Sequence, residues 1–322
     1  MEPIVVIDTG YDSYDVERNI FSDHGFRLLV YEGPAEDHTG KFEMAGNAVG
    51  ILVRGTEVGK KEMDRMPRLK AIVRYGTGYE NIDLAEAESR AIRVANVRGY
   101  ASHAVSDHAL ALMFACIRGL DIRQDRSSGT FPPGTFGKPS RKDVFELHDK
   151  TLGIIGIGRI GSHFSRKASS LFKKAIAHDP YRTEEYMSDF GAVKTDLNEV
   201  LEESHVISLH CSLTDETHRM LNETGFRNMR NRPVIINTSR GPVVDEKALL
   251  RALNSGLVHS AGLDVFEKEP PDKEQSALLE HSRVTATPHT GWYSDHAAGT
   301  LQERAARNMV ALLTGGETED EL

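Results

Sequence analysis

The sequence predicts two doubly wound α/β domains with parallel sheets, and three observations carry that prediction. The 322 residues exceed one ordinary core and suit two units of about 100–200 residues each. The first hundred residues alternate short β-branched runs with polar or helix-forming stretches, and a second series of the same kind begins near residue 150. That rhythm is the pattern of β-α units feeding a parallel sheet. Apolar residues make up 39% and charged residues 27%, which suffices for two buried cores and speaks against disorder.

In chain order, the first series reads "PIVVID", "FRLLVYEG", "AVGILVRG", "KAIVRYG" and "IRVANV" as strands. A helix follows in "SHAVSDHALALMFACIRGL", a candidate bridge between domains. After it comes "SSGTFPPGTFGKPS", whose glycine, proline and serine mark a loop at a cleft edge or a surface excursion. The second series gives six strands: "KTLGIIGIG", "KKAIAHD", "HVISLHC", "PVIINTSRG", "SAGLDV" and "RVTATPH". Ser294 caps a last helix, in which Leu301, Ala305, Met309 and Leu312 keep helical spacing. The acidic tail "TGGETEDEL" reads as frayed.

Charge and cysteine content narrow the function classes. Lysine and arginine total 39 against 48 acidic residues, a net charge of -9, and no basic patch offers direct nucleic-acid contact. No apolar stretch reaches the length of a membrane span. Cys116 and Cys211 are too few for a disulfide framework and suit a reducing compartment, and the N-terminus reads as a strand and not a signal peptide. The expectation is a cytoplasmic protein.

A cofactor fingerprint opens the second series. Gly156, Gly158 and Gly161 have the G-x-G-x-x-G spacing between an apolar strand and a helix, and Asp179 ends the next strand. The first glycine permits the tight turn, the second lets backbone approach a pyrophosphate, and the third lets helix and strand pack closely. Arg159 and Ile160 lie at the helix start, facing the same phosphates. Asp179 suits a ribose diol and repels a 2′-phosphate, so NAD is favoured over NADP. Arg182 either softens that preference or is a surface arginine. A complete α/β series precedes the fingerprint, unlike lactate- and malate-type dehydrogenases, and no tyrosine has a lysine four residues later, which removes the short-chain dehydrogenases.

"NTSRGPVVDEKAL", "GLDVFEKEP" and "TPHTGWYS" resemble the three signature regions of the D-isomer-specific 2-hydroxyacid dehydrogenases, and "VRYGTGYENID" and "HCSLTDET" extend the resemblance over essentially the whole chain. "RYGTGYENID" and "HTGWYS" look nearest the branch containing the C-terminal-binding proteins. The resemblance implies a Rossmann NAD domain, 99–292, inserted in a flavodoxin-like substrate domain, 1–98 plus 293–322, with a cleft between them. It also implies a homodimer built through the helix after residue 101.

Reduction of a 2-keto acid needs a cation for the carboxylate and carbonyl, an acid for the oxygen, and a hydride donor. Arg240 offers a permanent planar fork of donors. His289 is of the residue type that exchanges a proton near neutrality, and Glu269 orients it through the other ring nitrogen. Taken singly, Arg240 reads as a surface charge, Glu269 as a turn residue before Pro270, and His289 as a structural histidine. All three at strand C-terminal ends, where open α/β sheets carry their sites, favour catalysis.

By resemblance, Thr77 and Gly78 offer backbone N–H groups to the substrate carboxylate, with Thr77 also near the cofactor. Asp264 matches the position that binds the nicotinamide carboxamide. Thr238, His210, Cys211 and Thr217 match cofactor-lining positions, and His289 and Trp292 reach both cofactor and substrate. Trp292 walls the substrate pocket, disfavouring a phosphorylated substrate unless Arg54 or Lys138 meets a distal anion; Arg54 lines the cleft or is a surface arginine. Arg98 stands where the family often has proline, and is either solvent-facing or a change at the hinge. His210–Cys211 makes poor zinc spacing. His103 and His108, five apart, do not share a helical face. The reading is an NAD-dependent D-2-hydroxyacid dehydrogenase running as a 2-keto acid reductase. The alternatives are an NAD(H)-sensing corepressor or scaffold, disfavoured because such proteins often carry long tails and this chain ends soon after His289, and a phosphoglycerate dehydrogenase without a regulatory domain.

Overall fold

The computed structural model describes residues 1–120, 142–273 and 275–322. The loop "SSGTFPPGTFGKPS", with Lys138, lies outside them. The described chain forms two compact units, Met1–Tyr100 with Ser294–Leu322, and Ala101–Tyr293.

The first unit contains β1 (Glu2–Val6), β2 (Phe26–Val30), β3 (Gly50–Val53), β4 (Ala71–Arg74) and β5 (Arg93–Ala95) in one parallel sheet of order β2-β1-β3-β4-β5. Helices cover both faces of such a sheet, so its central strands are apolar runs and not alternations: Ile4 to Val6, Ile51 to Val53, and Ile72 with Val73 are buried throughout. The strand order reverses between β1 and β3. Asp8, just past β1, fills the crevice there, its Oδ2 accepting the N–H groups of Arg54, Gly55 and Thr56 at 2.8, 2.9 and 2.9 Å. Buried Lys41 balances the charge, with Nζ 2.7 Å from Asp8 Oδ1.

The C-terminal helix, Asp295–Thr314, belongs to this unit. Ser294 Oγ accepts from the Ala297 amide at 3.1 Å, the predicted cap, and Leu301, Ala305, Met309 and Leu312 lie on its buried side. The tail corrects the expectation of fraying. Asp320 is 1% exposed, its carboxylate accepts from Arg304 at 2.6 Å, Asn308 at 3.0 Å and the Arg98 amide at 3.1 Å, and Glu321 bridges to Ala95 beside β5. Basic partners far away in sequence turned an acidic, glycine-led segment into a docked one. Arg98 accordingly is not simply solvent-facing: its guanidinium donates to the Glu321 carbonyl at 2.8 Å.

The second unit contains β6 (Thr151–Ile155), β7 (Lys174–His178), β8 (Val193–Lys194), β9 (Val206–Leu209), β10 (Val234–Asn237), β11 (Ser260–Leu263) and β12 (Val284–Ala286), all parallel, in the order β12-β11-β10-β9-β6-β7-β8. The seventh strand, β8, was not among the six expected. It is a two-residue, exposed edge pairing and has no length over which a period could appear. The helix Ser102–Arg118 packs within this unit, with Val105, Ala109, Leu112, Met113 and Cys116 buried, and ends at Gly119 in the left-handed conformation. Among the described residues, no helix is long and apolar enough to cross a membrane.

Candidate active site

Strand order in the second unit reverses between β6 and β9, and the loops following these two strands meet there. Gly156, at φ +89°, lies so close to the second loop that a Cβ would stand 2.6 Å from the Cys211 nitrogen, and one on Gly161 would stand 2.0 Å from the Gly156 carbonyl oxygen. Gly158 is different. A Cβ there would meet nothing within 4 Å, so this glycine answers no demand of the fold and leaves its backbone open to a ligand. Arg159 and Ile160 begin the helix Arg159–Ala168 at that opening. Asp179 pins the glycine loop, its Oδ2 accepting from the Ile157 amide and its Oδ1 from the Tyr181 amide, both at 2.9 Å. Arg182 lies with its guanidinium carbon 4.9 Å from the Tyr186 ring centre, exposed, which favours its surface reading.

Next to this crevice, Thr238 Oγ1 is buried without a hydrogen-bond partner, an orphan that a bound polar group would satisfy. His210 Nε2 is 2.8 Å from Ser208 Oγ, while burial pulls its pKa down to about 3, so its ring is neutral. Burial likewise pushes the Cys211 thiol up to about 11, which keeps it protonated. The Thr217 hydroxyl serves its own loop, donating to the Ser212 carbonyl at 2.6 Å. Among the described residues, no three His, Cys, Asp or Glu side chains are grouped so as to hold a metal ion.

The three catalytic candidates all belong to the second unit. Beyond β10, Asn237 organises the turn to Arg240: its Oδ1 accepts from the Ser239 amide at 3.0 Å and its Nδ2 donates to the Arg240 carbonyl at 3.0 Å. Gly241 then passes so near the next loop that a Cβ would sit 1.9 Å from the Phe266 carbonyl carbon, and this approach brings the arginine turn against the segment carrying Glu269. That segment is held by Glu246, which sequence reasoning missed. Buried Glu246 accepts from the Glu267 amide at 2.7 Å and from Gln275 at 2.8 Å. In sequence, Glu246 is one more acidic residue in the first turn of a helix and carries no distinguishing signal.

Glu269 Oε1 accepts from the Phe266 amide at 3.0 Å and Oε2 lies 2.6 Å from His289 Nδ1. Burial raises the Glu269 pKa, but the hydrogen bond and charge of His289, the Phe266 amide and the nearby Arg240 charge outweigh it, so the carboxyl sits below its ordinary value. An ionised carboxylate only accepts hydrogen bonds, so Nδ1 of His289 carries a proton and Nε2 is the atom left to exchange one. The His289 side chain is 43% exposed, which separates it from a packed strand-end histidine.

Trp292 lies beyond it, its ring edge-on to the exposed Tyr293 at 5.5 Å. Asp264 is 2% exposed and already bonded by the Thr287 hydroxyl and the amides of Thr290 and Gly291. In the first unit, the Thr77 hydroxyl donates to the Val97 carbonyl at 3.0 Å, Gly78 is buried, and Arg54 begins the loop tied to Asp8.

Residues 110–291 match the family model described as D-isomer specific 2-hydroxyacid dehydrogenase, NAD binding domain. The chain is 38% identical over 262 residues to a glyoxylate reductase of Thermococcus litoralis, covering 80% of this chain and 78% of that one. It is 31% identical to glyoxylate/hydroxypyruvate reductase B of Serratia proteamaculans, over 99% of this chain and 97% of the relative. Among solved structures, it resembles the apo-structure of D-lactate dehydrogenase from Escherichia coli at TM-score 0.84 and 28% identity, with both chains covered completely. It also resembles D-lactate dehydrogenase from Aquifex aeolicus complexed with NAD and lactic acid, at TM-score 0.82 and 28% identity over 98% of this chain and 96% of that one.

Proposed function

This chain belongs to the D-isomer-specific 2-hydroxyacid dehydrogenases, NAD-dependent oxidoreductases, and we propose that it reduces small 2-keto acids, glyoxylate and hydroxypyruvate foremost, with His289 as the proton donor. The observation that carries this reading is the 2.6 Å pair of His289 Nδ1 and Glu269 in the same unit as the glycine loop. Bound NADH supplies the hydride. Arg240 holds the substrate carboxylate and polarises the keto oxygen with its fixed fork of donors. His289 gives its Nε2 proton to that oxygen as negative charge builds on it, and Glu269 keeps the ring aimed by holding Nδ1.

The open face of Gly158, the Asp179 carboxylate and the orphaned Thr238 hydroxyl fit an NAD pyrophosphate and ribose. The remaining roles belong to the same proposal: Arg54, Thr77, Gly78 and Trp292 contact substrate; Arg159, Ile160, His210, Cys211, Thr217 and Asp264 line the cofactor. A homodimer through the helix Ser102–Arg118, whose Phe114 is 37% exposed, and a cytoplasmic setting suited to a sequence with only two cysteines complete it.

The test is NADH oxidation by the purified protein against glyoxylate, hydroxypyruvate, pyruvate, phenylpyruvate and 3-phosphohydroxypyruvate. The proposal expects the highest kcat/KM on one of the first two. Preference for the phosphorylated acid would overturn the substrate assignment, and tight NADH binding with no turnover of any member would overturn the enzymatic one.

A further inference from the structure

The turn that carries His289 is wrapped around one carboxylate. Three successive amides, those of His289, Thr290 and Gly291, point at Asp264, the first at its main-chain carbonyl and the others at Oδ1 and Oδ2, each at 2.9 Å. They converge because His289 adopts φ +52°, a left-handed conformation uncommon outside glycine that persists only where neighbours hold it. Successive N–H groups in such a turn form an anion-binding concavity, and here the anion is the protein's own side chain.

Behind that carboxylate stands a relay from a distant part of the chain. Thr287 Oγ1 is 2.6 Å from Asp264 Oδ1, and His108 Nε2, on the helix Ser102–Arg118, is 2.8 Å from the same hydroxyl oxygen and 3.4 Å from Oδ1. Burial raises the Asp264 pKa, but His108, Thr287 and the two amides outweigh it and leave the carboxyl below its ordinary value, so it only accepts hydrogen bonds. The threonine has one hydroxyl proton and gives it to Asp264. His108 Nε2 must therefore donate to Thr287. Asp264 is nearly inaccessible to water, and each donor withdrawn from a buried carboxylate leaves it undercompensated.

We propose that His108 is a positioning residue for proton transfer: by donating to Thr287 it completes the shell around Asp264 and so fixes the turn that aims His289. Its place on a helix packed against β10, β11 and β12 ties that turn to the core of the unit. The inference rests on His289 as proton donor, and its test separates the two. His108→Phe keeps a ring of similar size without a donor, whereas His108→Gln restores an amide donor at about the reach of Nε2.

The measurements are glyoxylate reduction, NADH affinity and the NMR resonances of the His289 imidazole in the cofactor-free protein. We expect kcat of His108→Phe at saturating NADH to fall at least about tenfold, because a small misplacement of a reacting group costs rate even with the cofactor bound. The His289 resonances should shift or broaden, and His108→Gln should return both readings towards the parent. Unchanged His289 resonances in His108→Phe overturn the proposal, as does a loss of thermal stability with kcat per folded molecule unchanged, or failure of His108→Gln to recover. If the parent protein turns over no keto acid, the donor reading fails alone, and the His289 resonances still decide whether His108 fixes the turn.

Discussion

Glu269 and His289 form a pair whose two members must hold opposite charge states for reduction. The Glu269 carboxyl titrates below its ordinary value near 4.5, so the support it gives the imidazolium is complete above the ordinary carboxylate range and is lost as pH falls through the lowered value. Reduction should therefore show an acid limb below about pH 4.5. Glu269→Gln removes the acid limb and lowers kcat by roughly tenfold to a hundredfold, the scale of a general-acid term. A profile for Glu269→Gln that keeps the parental acid limb would assign that limb elsewhere. At this scale the meeting of Glu269 with His289 was legible, because an acid of this kind calls for an orienting carboxylate on its other ring nitrogen. Glu246 and His108 were not legible. They act through hydrogen bonds to residues 21 and 179 positions away, and nothing in their local sequence signals those partners.

The two outer fingerprint glycines and the middle one make different demands of the strand–turn–helix element. Gly156→Ala drives a methyl into the Cys211 backbone at a positive φ and should unfold the unit or strongly destabilise it. Gly158→Ala meets no protein atom, so its melting temperature should stay near the parent while NADH affinity falls at least about tenfold. Calorimetry with fluorescence titration of NADH separates the two, and equal affinity in parent and Gly158→Ala would mean that no pyrophosphate approaches there.

In the first unit, the element joining β1 to the loop after β3 hangs on Asp8. Burial would raise its pKa, but Lys41, Thr56 and the amides of the loop hold it at about 2 against an ordinary 3.8, worth roughly 2 kcal/mol at about 1.4 kcal/mol per unit. That stability is present above about pH 4 and is lost as pH falls towards 2. Asp8→Asn should cost roughly that amount in urea unfolding at pH 7 and much less at pH 2. The central strands of both sheets showed in the sequence because buried parallel strands are continuous apolar runs. The Asp8–Lys41 contact did not, because it joins residues 33 apart across two elements.

At the scale of the molecule, the sequence carried the order of the two α/β series. It misread the tail because "TGGETEDEL" is judged by composition, whereas its docking depends on Arg304, Arg98 and Asn308. Asp320→Ala would leave the Arg98 amide and the Asn308 side chain without their buried acceptor, and should lower the stability of the first unit by about 1–3 kcal/mol, the scale for a buried donor left unsatisfied. A melting temperature equal to the parent's would show that the tail adds nothing.

The most direct test of the central claim is the single-turnover rate of glyoxylate reduction by His289→Asn, measured beside its NADH affinity. If His289 supplies the proton, the rate falls by about 10²–10⁴ while affinity stays within about threefold. A rate within tenfold of the parent's, at unchanged affinity, would contradict the account and leave another group as the proton donor.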